Sequence, residues 1–168
     1  VDIILARPTS NSVTVSVLAY ADTEGYLSYG TEPGKLTQQT AVCVFPKGQP
    51  VEVVLAGLQT DTQYSCQLRT DDRILAEGAF HTARPAGSAF TFTITADSHL
   101  DEHTEPALYL QTLCNAAADH PDFNIDLGDT FMTEKHTDRD SAAAQYLAQR
   151  YYFAQIGAPL FLTIGNHD

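Results

Sequence analysis

A change of hydrophobic period near residue 85 limits what this chain can fold into more than any other feature. From residue 2 to about 82 apolar and polar residues alternate in short runs, the period of half-buried strands. The clearest are Val13-Thr14-Val15-Ser16-Val17, Gly25 to Tyr29, Val51 to Leu55, Tyr64 to Leu68 and Gly78 to Thr82. Turn formers stand between them: Thr31-Glu32-Pro33-Gly34, Pro46-Lys47-Gly48 and Thr70-Asp71-Asp72. Roughly seven short strands in succession suit a β-sandwich. After the Pro/Gly/Ser-bearing segment Thr82 to Ser88 the pattern becomes strands separated by helix-length segments. Strands are predicted over 90–96, 123–127 and 160–164, and helices over 105–118 and 140–155. A βαβαβ order implies right-handed crossovers and a parallel sheet. The domain boundaries therefore fall at 1–84 for the sandwich and 89–168 for the α/β part.

Each predicted helix carries one apolar stripe, Leu108, Leu110, Leu113, Cys114 and Ala117 on the first and Ala143, Tyr146, Leu147 and Tyr151 on the second. Both stripes are read as core-facing. The three cysteines, Cys43, Cys66 and Cys114, lack zinc-site spacing and are read as small buried apolar residues. His81 and His120 are read as surface positions, and His103 and His136 as solvated loop residues.

The formal charge of -12 argues against generic nucleic-acid binding, because a phosphate backbone is repelled unless bound cations reverse the local field. No apolar run reaches the length of a membrane span. The chain begins at Val1 with no basic and apolar leader, which is compatible with a processed, exported protein.

Chemistry concentrates at the carboxyl ends of the three predicted parallel strands, the edge at which open α/β sheets gather ligands. Strand one runs into Asp97-Ser98-His99, strand two into Gly128-Asp129-Thr130, and strand three into Gly165-Asn166-His167-Asp168. Carboxylate, imidazole and amide donors without thiolates suit hard or borderline divalent ions. Singly, each Asp or Asn is also an ordinary loop-capping residue. Three such clusters in this order, each after a buried strand, are a far more specific signal.

The series D-x-H, G-D and G-N-H-D over residues 90–168 resembles the calcineurin-like metallophosphoesterase family. In front of it, Gly57-Leu58-Gln59-Thr60-Asp61-Thr62-Gln63-Tyr64 resembles the corner of a fibronectin type III domain, with Tyr64 turning its hydroxyl back to the backbone. The two-domain layout is similar to that of purple acid phosphatases. The resemblance implies a fibronectin-like β-sandwich followed by the first half of a four-layer α/β/β/α metallophosphoesterase domain. It implies hydrolysis of a small phosphate ester, by a phosphatase or phosphodiesterase, at a dinuclear centre with a bridging hydroxide as nucleophile.

By motif, Asp97 and His99 would bind the first ion, Asp129 would bridge, and Asn166 would bind the second. His167 would contact phosphate or protonate the leaving oxygen, with Asp168 orienting it. The chain departs from purple acid phosphatases in having His99 where they carry Gly and Met132 where they carry a ferric-binding Tyr. Two divalent ions, Mn, Zn or Fe, are therefore expected in place of a tyrosinate-ferric pair. The family's later His and G-H-x-H motifs do not occur before Asp168, so the remaining half of the domain is expected as a partner and the piece alone is expected to be inactive. The competing expectation is a non-catalytic surface or adhesion protein with a degenerate phosphoesterase fold.

Overall fold

The computed structural model describes residues 1–168. Eight strands come first: β1 (Asp2–Ala6), β2 (Ser12–Leu18), β3 (Thr23–Gly30), β4 (Gln38–Gln39), β5 (Cys43–Phe45), β6 (Pro50–Ala56), β7 (Gln63–Arg69) and β8 (Ile74–His81). They form two antiparallel sheets, β1-β2-β6 and β4-β3-β7-β8, with β5 also pairing β3. The alternating residues of each strand meet between the sheets. Val13, Val15 and Val17 from β2 and Tyr64, Cys66 and Leu68 from β7 are all buried in one cluster with Leu27, Phe45 and Phe80. Each such side chain removed from water contributes roughly 1.5–3 kcal/mol. Tyr64 stacks on Phe80 with ring centroids 5.5 Å apart. Its hydroxyl accepts the Gln59 backbone N–H at 2.9 Å, closing the corner anticipated from the sequence.

β1 escapes an alternation search because both its faces are covered. Ile3 and Leu5 point into the sandwich core, while Ile4 packs against a second cluster built from Leu113, Phe153, Ile156, Ala158 and Leu160. β4 and β5 are too short to carry a period.

The rest of the chain runs β9 (Phe92–Thr95), α1 (Pro106–Ala118), β10 (Phe123–Asp126), α2 (Arg139–Phe153) and β11 (Leu160–Leu162). β10 pairs in parallel with β9 on one side and β11 on the other. The strands are shorter than the sequence predicts. α1 opens with Pro106, which needs no N–H partner in the first turn. α2 is capped by the Asp138 carboxylate, which accepts from Ser141 N at 2.8 Å.

The stripe expected to bury α2 is on the outside. Tyr146, Leu147 and Tyr151 are exposed, and the inward residues are Ala142, Gln149 and Phe153. Polar residues face inward here with most of their polar atoms partnered, Gln149 Oε1 and Arg150 Nε excepted. Gln149 Nε2 donates to the Tyr109 hydroxyl at 2.7 Å, and the Arg150 guanidinium donates to Ser16 O at 3.1 Å and Ser16 Oγ at 3.3 Å. On α1 only Leu113 of the expected stripe is buried, while Leu108 and Cys114 are exposed. Of the three cysteines, Cys66 is buried as expected, with burial pushing its thiol up to about 12, and Cys43 is half-buried.

His81, expected at the surface, is largely enclosed beside a polar cluster that joins the sandwich to the parallel sheet. Arg84 donates from Nη1 to Asp61 Oδ1 at 3.0 Å and from Nε to both Asp122 oxygens at 3.0 and 3.1 Å. His81 lies 3.5 Å from Asp61 and 3.7 Å from Asp122. Burial pushes the Asp122 carboxyl up, but Arg84 and the Thr91 N–H outweigh it and hold the group below its ordinary range.

The helix-side face of the sheet carries a hydrogen-bonded ladder from Thr93 to Asn124 to Thr95 to Asp126. Burial raises the Asp126 carboxyl above its usual value against hydrogen bonds from Thr95 and the Gly128 N–H, with the charges of Asp168 and Asp97 adding to the rise. The opposite face is aromatic. Phe90, Phe92 and Phe123 stack with centroids 5.5–6.0 Å apart, and Phe161 meets Phe123 edge-on at 5.6 Å. Phe90, Phe92, Ile94 and Phe161 are exposed, a contiguous apolar surface of the kind that isolated domains rarely present.

Candidate metal centre

The loops after β9 and β10 are stitched together beyond the ends of their strands. Asp97 N donates to Gly128 O at 3.1 Å, His99 N to Asp129 O at 3.0 Å and Leu100 N to Thr130 O at 3.1 Å. Asp97, His99 and Asp129 all take positive φ, 56°, 42° and 52°, a region that non-glycine residues rarely occupy and that clusters at functional sites. The result brings three donors together: one ligand atom from each of Asp97, His99 and Asp129 lies within 4.8 Å of the others. His99 Nε2 is 3.5 Å from Asp97 Oδ1 and 3.9 Å from Asp129 Oδ2. Its other nitrogen, Nδ1, lies 2.8 Å from the Met132 sulfur, which leaves Nε2 for the carboxylate side.

The third loop is pressed against the second. A Cβ on Gly165 would lie 2.1 Å from Asp129 Oδ1, and one on Gly128 would lie 2.3 Å from Gly165 N. Both glycines are required by close approach, not merely by a turn. Asp129 Oδ1 accepts the His167 N–H at 3.0 Å, leaving Oδ2 toward His99.

Asp168 does not orient His167. Its carboxylate instead gathers the backbone N–H groups of Asp129 (2.9 Å), Thr130 (2.7 Å), Phe131 (3.1 Å) and Gly165 (2.7 Å), and the Thr130 hydroxyl at 2.8 Å. Burial alone would raise its pKa, but these donors win and hold the group below the usual carboxylate range. Asp168 is thus the clamp that joins the second and third loops. The imidazole of His167 meets Glu134 through Nδ1 and lies edge-on to His99 with centroids 5.1 Å apart. The Glu134 carboxyl is held low, first by its own backbone N–H and, against slight desolvation, by His167. Asn166 is exposed in the same loop.

His103 is well exposed; its ring lies 3.6 Å from Glu102, its backbone N–H donates to Asp101 Oδ1 at 2.7 Å, and it is not part of the three-donor cluster. Glu134 carries no signal of its own in the sequence, since it reaches the site from an irregular segment after Asp129, whereas Met132 stands out there only as a departure from a family ligand and not as a contact of His99. A cavity of about 620 Å³ lies elsewhere, beside the linker, where Arg84, Asp122, Phe90 and Phe161 line it. It faces the aromatic side of the sheet and shares no residue with the donor cluster.

The donor set fits a divalent ion. Two carboxylates and an imidazole nitrogen converge, a donor chemistry suited to such an ion, and Lys135 pairs instead with Asp101 and Glu102.

No protein-family model matches the sequence, and no curated protein matches it. Among solved structures, that of PhoD matches with a TM-score of 0.71 at 13% identity, covering 99% of this chain and 38% of that one. At that identity the likeness shows the fold alone. Half of the chain also aligns with the FN5 domain of Drosophila Lar at 21% identity and TM-score 0.36, covering 50% of this chain and 94% of that one. A fibronectin domain of human collagen alpha-1(XX) aligns at 22% identity and TM-score 0.35, over 53% of this chain and 88% of that one. No helix is long and apolar enough to cross a membrane.

Proposed function

We propose that the chain is the N-terminal part of a metal-dependent phosphoesterase, with a fibronectin-like sandwich ahead of the first half of its α/β/β/α catalytic domain. The observation that carries this reading is the convergence of Asp97, His99 and Asp129 within 4.8 Å at the carboxyl edge of a parallel sheet. The PhoD-like fold supports it, and the chain spans 38% of that structure's length. The exposed aromatic face of the sheet supports a second half-sheet packing there in the whole protein.

Asp97 and His99 would hold one divalent ion, Asp129 would lie between two, and Asn166 would offer its amide oxygen to the second. Bound ions would polarise the phosphoryl oxygens and acidify water in a protein whose net charge of -12 otherwise repels an anionic ester. The protein's own part is to hold these donors rigid. Asp168 clamps the loop bearing Asp129 to the loop bearing Asn166 and His167, and Met132 leaves the Nε2 of His99 facing the carboxylates. His167, whose ring lies beside His99, would meet a phosphate oxygen or move a proton at Nε2.

The test is hydrolysis of 4-nitrophenyl phosphate and bis(4-nitrophenyl) phosphate by the full-length protein loaded with manganese or zinc. Turnover that disappears in Asp129→Asn supports the reading. Equal turnover in the variant would remove Asp129 from the centre.

A further inference from the structure

His167 takes its carboxylate partner from outside its own motif. Its Nδ1 meets Oε1 of Glu134, five positions after Asp129. Glu134 stands in the middle of a 3-10 turn, Thr133–Lys135, that is fastened on every side. Thr133 donates from its backbone N at 3.1 Å and its hydroxyl at 2.8 Å to the carbonyl oxygen of His167 itself. Carboxylate and imidazole therefore share one anchor. Lys135 reaches Asp101 and Glu102 in the loop after β9. Met132 N donates to Gln145 Oε1 of α2 at 3.3 Å.

We infer that Glu134 is a positioning residue for His167: its carboxylate accepts the Nδ1–H of the ring, fixes the tautomer, and leaves Nε2 as the nitrogen free to meet a substrate beside His99. This rests on the phosphoesterase reading above for what His167 then does. The alternative, an incidental surface ion pair, would share the exposure seen here, 49% for the Glu134 side chain and 32% for His167. Such pairs add little stability. An incidental pair would not also have the preceding residue, Thr133, tied to its partner's carbonyl through both its backbone N–H and its hydroxyl. Imidazole without a partner on one nitrogen samples two ring flips and two tautomers, and a carboxylate on Nδ1 removes that freedom.

The experiment uses the full-length protein loaded with manganese for kinetics and metal content, and loaded with zinc for nitrogen-edited NMR. Glu134→Ala is expected to keep its bound metal and KM while kcat falls about 10- to 100-fold, the usual cost of losing an orienting partner. Glu134→Gln, which keeps an acceptor oxygen, is expected to recover most of that loss. The double variant Glu134→Ala/His167→Ala should be no slower than His167→Ala alone. Independently of activity, the Nδ1-bound proton signal of His167 should be present in the wild type and in Glu134→Gln, and absent in Glu134→Ala. Unchanged kcat with an unchanged signal would overturn the assignment, as would losses that multiply in the double variant. An inactive wild type would count against the phosphoesterase reading, and the NMR signal would then decide the pairing alone.

Discussion

The Asp129 carboxylate accepts the backbone N–H of His167 at 3.0 Å, so the side chain assigned to the centre of the site is also a structural tie to the third loop. Asp168 returns the connection by accepting the Asp129 N–H at 2.9 Å. The two loops are one rigid unit, and substitutions in either should be felt in metal binding before they are felt in folding.

Gly165→Ala tests that unit most simply. The new methyl would sit 2.1 Å from Asp129 Oδ1, a distance that forces the carboxylate or the loop to move. Metal affinity in the full-length protein should fall at least 10-fold by isothermal titration, with thermal stability lowered by roughly 1–3 kcal/mol for overpacking. Unchanged affinity would mean that the loops are not held as described.

Asp168→Asn should resemble Gly165→Ala, and it should differ from a loss of His167. The amide cannot accept from so many N–H groups at once, so loop order and metal content should drop together. A variant that keeps its metal and merely turns over slowly would restore Asp168 to a role on the imidazole.

The clasp of Arg84 with Asp122 gives a pH dependence with a definite sign. The folded-state pKa of Asp122 is depressed, so the stabilisation is fully present above the ordinary aspartate value of about 3.9 and is lost as pH falls through the lowered value. Thermal melts should therefore show Asp122→Asn destabilised by roughly 1–3 kcal/mol at neutral pH, a charge-assisted bond lost. The gap from wild type should hold down to about pH 4 and close below it. A gap that widens on acidification would contradict the assignment.

Tyr64→Phe removes the acceptor for Gln59 N and leaves the ring stacked on Phe80. A loss of about 1–3 kcal/mol in chemical denaturation is expected for a backbone donor left without its partner. A loss near zero would mean that water replaces the hydroxyl at the corner.

How much of this was legible in the sequence depends on what each residue answers to. The sandwich strands with one face on the core were visible by period, as Val13, Val15 and Val17 illustrate. β1 was not, because Ile4 faces the helices while Ile3 and Leu5 face the sandwich. The inward face of α2 does not follow apolarity, because Gln149 and Arg150 turn inward to partners on α1 and β2 that no local pattern announces. At the site, Asp97, His99 and Asp129 could be named from strand ends alone. The partner of His167 could not, since Glu134 arrives from an irregular turn whose placement is set by Thr133 and Lys135.

The most direct test of the account is metal stoichiometry by elemental mass spectrometry, on the full-length protein purified without chelator and again after reconstitution with manganese or zinc. About two ions per chain, falling sharply in Asp129→Asn, is the predicted result for a dinuclear centre built on Asp97, His99, Asp129 and Asn166. No metal above background in either preparation would contradict it, and would turn attention to the sandwich as a binding module on a fold without its catalytic ions.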